Sequence, residues 1–376
     1  MVSTVSSWWL SLQHDWCDGF TNSEKVWVSA HHLNSKTCHS FLTSSGPKDD
    51  LFTSKLVSER EIEVTHATTN TSTKFTAPVS SHKVTPNHNP VSLDITSTGG
   101  LGAVTNGKDV LVFEGSNGNV RRTLSGHVDD VQSVKFFPSN KVLLTGGSDM
   151  SVKIWSVEDG SCPVTLTGHK RGITALGMIE RGKEVVSSSL DGTIKLWVCG
   201  TQQCSTTISP QSGAVNHIEI LDQSAVSSSS KLVMSVTETG LLAVHSLQDS
   251  KLISQFQHSS ELTACTAVSQ HLLVTGSASG DIITLDIRDC SKPVSVQKRN
   301  NFAVTSLSSH EQRVWCGQKD GECYTISTSP DTTSDTTLLC DTTLCGGDCE
   351  AIFSVVAKSG IVSTSARDRI IRRYEV

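Results

Sequence analysis

The sequence predicts an all-β fold, a propeller of seven four-stranded blades with a small N-terminal extension. Three observations carry this. A set of four landmark residues recurs at a fixed interval, strand-closing residues can be counted seven times, and no segment from 85 to 376 sustains a 3.6-residue apolar period over helical length.

The interval is the strongest signal. Gly126-His127, Asp149 and Trp155 recur as Gly168-His169, Asp191 and Trp197, each 42 residues on. This falls in the roughly 40–45-residue period of WD40 blades. The residues closing each third strand are Phe113, Trp155, Trp197, His245, Leu285, Ile326 and Tyr374, with steps of 42, 42, 48, 40, 41 and 48. Six steps join seven blades. A short turn precedes most of them: Asp149-Met150, Asp191-Gly192, Thr239-Gly240, Ser279-Gly280, Asp320-Gly321 and Asp368-Arg369. Such pairs suit tight hairpins between apolar strands. Within the second blade, Val131–Val134, Val142–Thr145, Val152–Trp155 and Val164–Leu166 read as four strands in order.

A chain of 376 residues exceeds the size at which one core usually divides. A propeller escapes that limit because each blade makes a core with its neighbours. The net charge of −6 offers no basic stripe for nucleic acid; Lys298-Arg299 and Arg372-Arg373 are too few to make one. The 12 cysteines form no C-x-x-C pair. Cys340, Cys345 and Cys349 lack a neighbouring His, so the cysteines read as small buried hydrophobes in a reducing compartment, with no metal or cofactor. Trp8-Trp9-Leu10 has no preceding positive charge, and no apolar run approaches the roughly 20 residues that span a bilayer. The expectation is a soluble, monomeric protein of the cytoplasm, and of the nucleus as well, with no membrane partner.

The repeated landmarks read as a structural network. His127, Thr145, Asp149 and Trp155 stand where an imidazole bridges a carboxylate and a hydroxyl, and the hydroxyl takes the indole N–H. His169, Ser187, Asp191 and Trp197 repeat the set. Read as catalytic triads they would be duplicated to no purpose, with nucleophiles in mid-strand and not on a strained turn. Gly100-Leu101-Gly102 resembles the start of a dinucleotide fingerprint, but a strand follows it and not a helix. His31-His32, Cys38 and His39 match no zinc spacing and are expected in a solvated segment. No acid, base or metal group is expected to converge in the central channel, so no catalysis is expected.

Residues 1–77 carry no repeat and read as a separate subdomain, leaving 78–376 for the propeller. Trp27–Ala30, Glu61–Val64 and the stretch from Phe41 look strand-like; Thr68–Thr73 reads as a polar hairpin loop or linker. The chain ends two residues after Tyr374, so blade seven holds only three strands from that end. An open edge would invite aggregation, and the fourth strand is expected from Pro78–Val84, closing the ring.

Val91–Gly102, Arg121-Arg122-Thr123-Leu124, Phe136-Phe137-Pro138-Ser139 and Ile371-Arg372-Arg373-Tyr374 depart from a generic WD40 blade. Together they resemble the proteasomal ATPase-associated factor family, over most of 74–376 and most strongly from 91 to 198. The resemblance implies binding to ATPase subunits of the 19S proteasome base, assembly-chaperone activity and restraint of premature association with the 20S core. The loop face predicted to dock the partner carries Asp129, Asp130, Lys170, Arg171, Lys319, Asp320, Arg367, Asp368 and Arg369. A second reading comes from Leu285-Asp286-Ile287-Arg288, which resembles the box that joins WD40 substrate receptors to cullin-4 ubiquitin ligases, with Leu in place of Trp.

Overall fold

The computed structural model describes residues 8–33, 35–43, 46–47, 50–209, 213–221, 231–327, 342–347 and 349–376. Seven four-stranded antiparallel blades follow one another: 93–124, 131–167, 173–208, 215–257, 262–298, 304–344, and 352–375 with one strand from earlier in the chain. All seven strand-closing residues lie on third strands and are buried. Trp155 packs back onto Val110, Val112 and Leu124 of blade one, and Trp197 onto Leu144, Val152 and Leu166 of blade two. The core is therefore distributed between blades, which is how a long chain avoids an oversized single core.

Six blades carry a feature that no motif announces. The first strand bulges at its second residue, with register shifts at Val131/Ser133, Ile173/Ala175, Val215/His217, Leu262/Ala264, Val304/Ser306 and Ile352/Ser354. A bulge re-aims the extra side chain. In three blades that side chain reaches the main chain of the next one: Thr174 Oγ1 donates to Val215 O at 2.7 Å, Asn216 Nδ2 to Leu262 O at 2.8 Å and Thr263 Oγ1 to Val304 O at 2.5 Å. These bonds join blades three to six along the channel.

The N-terminal extension holds β1 (Trp9–Leu12), α1 (Trp16–Thr21), β2 (Val26–His31), β3 (Cys38–Thr43), β4 (Gly46–Pro47), β5 (Phe52–Ser58), β6 (Glu61–His66) and β7 (Thr71–Thr76). β1 to β4 form one sheet, and β5 to β7 form another that continues blade six: β7 runs parallel to Thr342–Leu344. Between the sheets lie Leu10, Trp16, Val28, Leu42, Phe52, Ile62 and Phe75. Then β8 (Ser80–His82) pairs antiparallel with Ile371–Glu375 as the fourth strand of blade seven.

Two expectations need correction here. Thr71–Thr73 is strand and not linker, because the alternate residues Thr73 and Phe75 bury against the inter-sheet core. The short helix α1 was not expected. His31 and His39 lie on paired strands, His39 exposed and His31, His32 and Cys38 half-buried, while Ser44, Ser45 and Cys340 fall outside the described residues. The extension is pinned by Arg299, whose Nη2 donates to Leu10 O at 3.1 Å, whose Nε pairs with Glu322 at 3.1 Å and whose guanidinium lies 4.4 Å from the Tyr324 ring centroid. Arg60 also donates to Pro78 O.

Candidate partner-binding face

In blades two and three the face is built by a tie between two loops. His127 Nδ1 meets Asp149 Oδ2 at 2.9 Å and Nε2 meets Thr145 Oγ1 at 2.7 Å, while Trp155 Nε1 donates to the same hydroxyl at 2.9 Å. Blade three repeats the set: His169 to Asp191 at 2.9 Å, His169 to Ser187 at 2.8 Å and Trp197 to Ser187 at 2.8 Å. Burial works against the charged form of both histidines and lowers them, although each aspartate pulls the other way. Burial also opposes the ionised Asp191, but Thr193 Oγ1, Lys170 N–H and His169 outweigh it and hold the carboxyl down at about 2. A neutral imidazole and an ionised carboxylate, with their hydrogen bonds made, form a brace and not a reactive centre.

This brace puts the loop after the fourth strand and the turn between strands two and three on one side of the ring. Of the nine charged residues expected to dock a partner, Asp129, Asp130, Lys170, Arg171, Lys319 and Arg367 are exposed there. Arg171 also donates through Nη1 to Leu190 O at 3.1 Å, and the other three are half-buried and engaged internally. Asp320 accepts from Asn300 Nδ2 at 2.8 Å, Asp368 pairs with buried Arg372, and Arg369 Nη1 donates to Pro86 O at 2.6 Å. The same loops and turns display Val128, Phe302 and Met150, which are 86%, 53% and 43% exposed. Charge-based reasoning passed over these. Their only signal was an apolar residue at a loop position that is otherwise polar.

The central channel, about 810 Å³, runs between the first strands of all seven blades. It is not free of ionisable groups as expected: Asp94, Lys135, His217, Glu219 and Lys358 line it. The sequence hid them because they lie on four separate first strands that come together only when the ring closes. Lys358 Nζ meets Asp94 Oδ1 at 2.5 Å and Phe136 N–H donates to Asp94 Oδ2 at 2.7 Å, so Asp94 ties blades seven, one and two. Burial pushes His217 down to about 3 and pushes Glu219 up. Among the described residues no group of three His, Cys, Asp or Glu side chains is placed to hold a metal ion. No described helix is long and apolar enough to cross a membrane.

Seven blades and a repeated His–Asp–hydroxyl–indole brace define a WD-repeat β-propeller, and the WD domain, G-beta repeat family matches residues 118–156 and 160–198. The chain is 33% identical to "Proteasomal ATPase-associated factor 1" of Homo sapiens and 34% identical to that of Bos taurus, each alignment covering 98% of this chain and 98% of the relative. It belongs to the proteasomal ATPase-associated factor family. A shorter stretch is 42% identical to "26S proteasome regulatory subunit RPN14" of Saccharomyces cerevisiae, over 14% of this chain and 12% of that one. The solved structure of U3-55K superposes with a TM-score of 0.67 over 79% of this chain and 98% of its own, at 14% identity, which shows a shared fold alone.

Proposed function

We propose that this chain is a non-catalytic binding protein of the proteasome that holds an ATPase subunit of the 19S base on its loop face, acts as an assembly chaperone and leaves before the 26S particle is complete. The observation that carries this is end-to-end similarity to relatives named for the proteasomal ATPases, 98% of each chain being covered. The docking end of the ATPase is its small C-terminal domain, since a propeller seated there would block the 20S core sterically with no chemistry required. The chain acts as a monomer in the cytoplasm and nucleus, and binds neither nucleic acid nor membrane.

The exposed loop charges steer and select the partner, and Val128 and Phe302 supply apolar contact between them. The cullin-4 reading gains no support: Leu285 is fully buried, and Arg288 folds back onto Asp286 at 2.5 Å. The test is a pull-down of recombinant ATPase subunits with wild type and with an Asp129→Lys, Asp130→Lys, Lys170→Glu, Arg171→Glu variant. These residues are exposed, so the variant should melt with wild type while losing the subunit and the salt dependence of its capture. Equal retention removes this face as the docking surface, and no retention by wild type removes the ATPase as partner.

A further inference from the structure

The brace and the loop face leave the outer surface of the N-terminal sheet unused. Along β2 and β3, alternate residues Val26, Val28, Ala30 and Leu42 are fully buried in the inter-sheet core. The opposite alternates face outward, where Trp27 directly opposes Phe41, Ser29 opposes His39, and on β1 Ser11 opposes Ser29. Trp27 and Phe41 are 40% and 48% exposed, costly for rings of that size unless something covers them. Both line a cleft of about 830 Å³ with Ser11, Ser29, His31 and His39. The polar groups are held in place: Ser11 Oγ lies 2.7 Å from His31 Nε2, Ser29 Oγ lies 2.6 Å from His39 Nδ1, and Trp9 stacks on His31 with centroids 5.3 Å apart.

We propose that this cleft binds a proline-rich segment in the polyproline II conformation. Three features select that partner. Two aromatic side chains opposed across neighbouring strands make the kind of groove into which proline rings dock. The segment arrives already extended, so little ordering entropy opposes its binding on a flat sheet. The electrostatics are complementary as well. Proline carries a carbonyl acceptor and no N–H donor, and the cleft is lined by the imidazoles of His31 and His39, the hydroxyl of Ser11 and that of the buried Ser29, with no carboxylate. The guanidinium of Arg299 lies beneath Trp9, its centre 6.0 Å from that ring, with its charge paired to Glu322. Burial first, then Arg299 and His39, hold His31 down at about 4, so it is neutral at pH 7 and adds no charge that would select an acidic peptide.

The test titrates the full chain with decaproline and, as control, a Gly-Ser decapeptide, by calorimetry and tryptophan fluorescence. The expected result is saturable binding of decaproline alone, weakened at least about tenfold by Trp27→Ala or Phe41→Ala and partly retained by Trp27→Phe. Both rings are exposed, so the variants should melt with wild type. Four results would overturn the proposal: no saturation, equal binding of the Gly-Ser peptide, unchanged affinity in Trp27→Ala, or self-association of the chain that Trp27→Ala abolishes, which would make a second copy the occupant.

Discussion

Blades three and six tie the same two loops together with different residues. In blade three His169 spans Asp191 and Ser187, and the hydroxyl takes the indole N–H of Trp197. In blade six Asn300 stands at the histidine position, four residues before the first strand, and donates to Asp320 at 2.8 Å and to Gln318 at 2.9 Å. Ile326 replaces the tryptophan and Cys316 the hydroxyl. Strand pairing makes the equivalence explicit, since Trp197 pairs with Val185 and Ile326 with Val314. What blade six keeps is the loop-to-turn tie; there the indole arm is dispensable, and the hydroxyl is absent with it. Blade five makes the same point differently. Its Thr275 keeps the hydroxyl with no tryptophan to receive, and donates to Ala264 O at 2.9 Å instead.

The largest test of this comparison is truncation at the third-strand position. Trp197→Ala removes a buried aromatic and leaves the Ser187 hydroxyl without its donor, and should cost about 3–5 kcal/mol. Ile326→Ala should cost about 2–5 kcal/mol, toward the lower end, because no hydrogen bond is lost with it. Thermal melts check the ordering; a larger loss from Ile326→Ala would mean that the indole arm contributes nothing beyond volume. A smaller effect is expected at the turn. Asp191→Ala strands His169 Nδ1, the Thr193 hydroxyl and the Lys170 N–H, and should cost about 1–3 kcal/mol. Asp320→Ala should cost less, since it strands fewer donors: Asn300 and the Glu322 N–H.

The two carboxyls should also differ in sign with pH. Asp191 is held at about 2, below its ordinary 3.8, so its contribution is present above 3.8 and lost as pH falls through about 2. Burial raises Asp320 above 3.8, with too few donors to offset it. Its contribution is therefore present below 3.8 and lost as pH rises through the raised value. Asp191→Asn should flatten the acid limb of a stability–pH curve, and Asp320→Asn should not. Identical changes in the two curves would show that the donor count does not separate these sites.

Most of the ring was legible because a repeat is a local signal reinforced many times over. The 42-residue offset and the seven third-strand closers hold even where His245, Leu285 and Ile326 replace tryptophan, since burial on a third strand needs only an apolar or well-packed side chain. The site was less legible. Charge alone could not separate Asp129 from Asp320, because whether a loop carboxylate faces water or a neighbouring amide depends on Asn300, 20 residues earlier, substituting for a histidine. Asp94 and Lys358 meet across 264 positions of sequence, and no spacing rule connects them. In the extension, β7 is polar at alternate positions, so its pairing with blade six is visible only once Thr342–Leu344 is in place.

The smallest expected effect separates blades two and three. The turn between strands two and three has a left-handed residue in the same place in six blades: Met150, Gly192, Gly240, Gly280, Gly321 and Arg369, with φ from 65° to 92°. In each, its N–H closes the turn onto the carbonyl three residues back, as from Met150 to Gly147 at 3.2 Å and from Gly192 to Ser189 at 3.1 Å. A side chain there costs about 1–2 kcal/mol of backbone strain, and glycine gives back about 0.4–1 kcal/mol through the freer unfolded chain. Met150→Gly should therefore stabilise blade two by up to about 1 kcal/mol, read as a small rise in melting temperature. The reverse swap is not symmetrical. A Cβ at Gly192 would stand 2.9 Å from Gly213 O, so Gly192→Met adds a clash with backbone to the strain and should destabilise by more than Met150→Gly gains. If Met150→Gly lowered the melting temperature, the half-exposed Met150 side chain would be packing on its own blade, and its place among the apolar contacts of the loop face would be lost. If the variant is more stable yet retains less of the ATPase subunit in the pull-down, the strain is kept for the contact that Met150 makes with the partner.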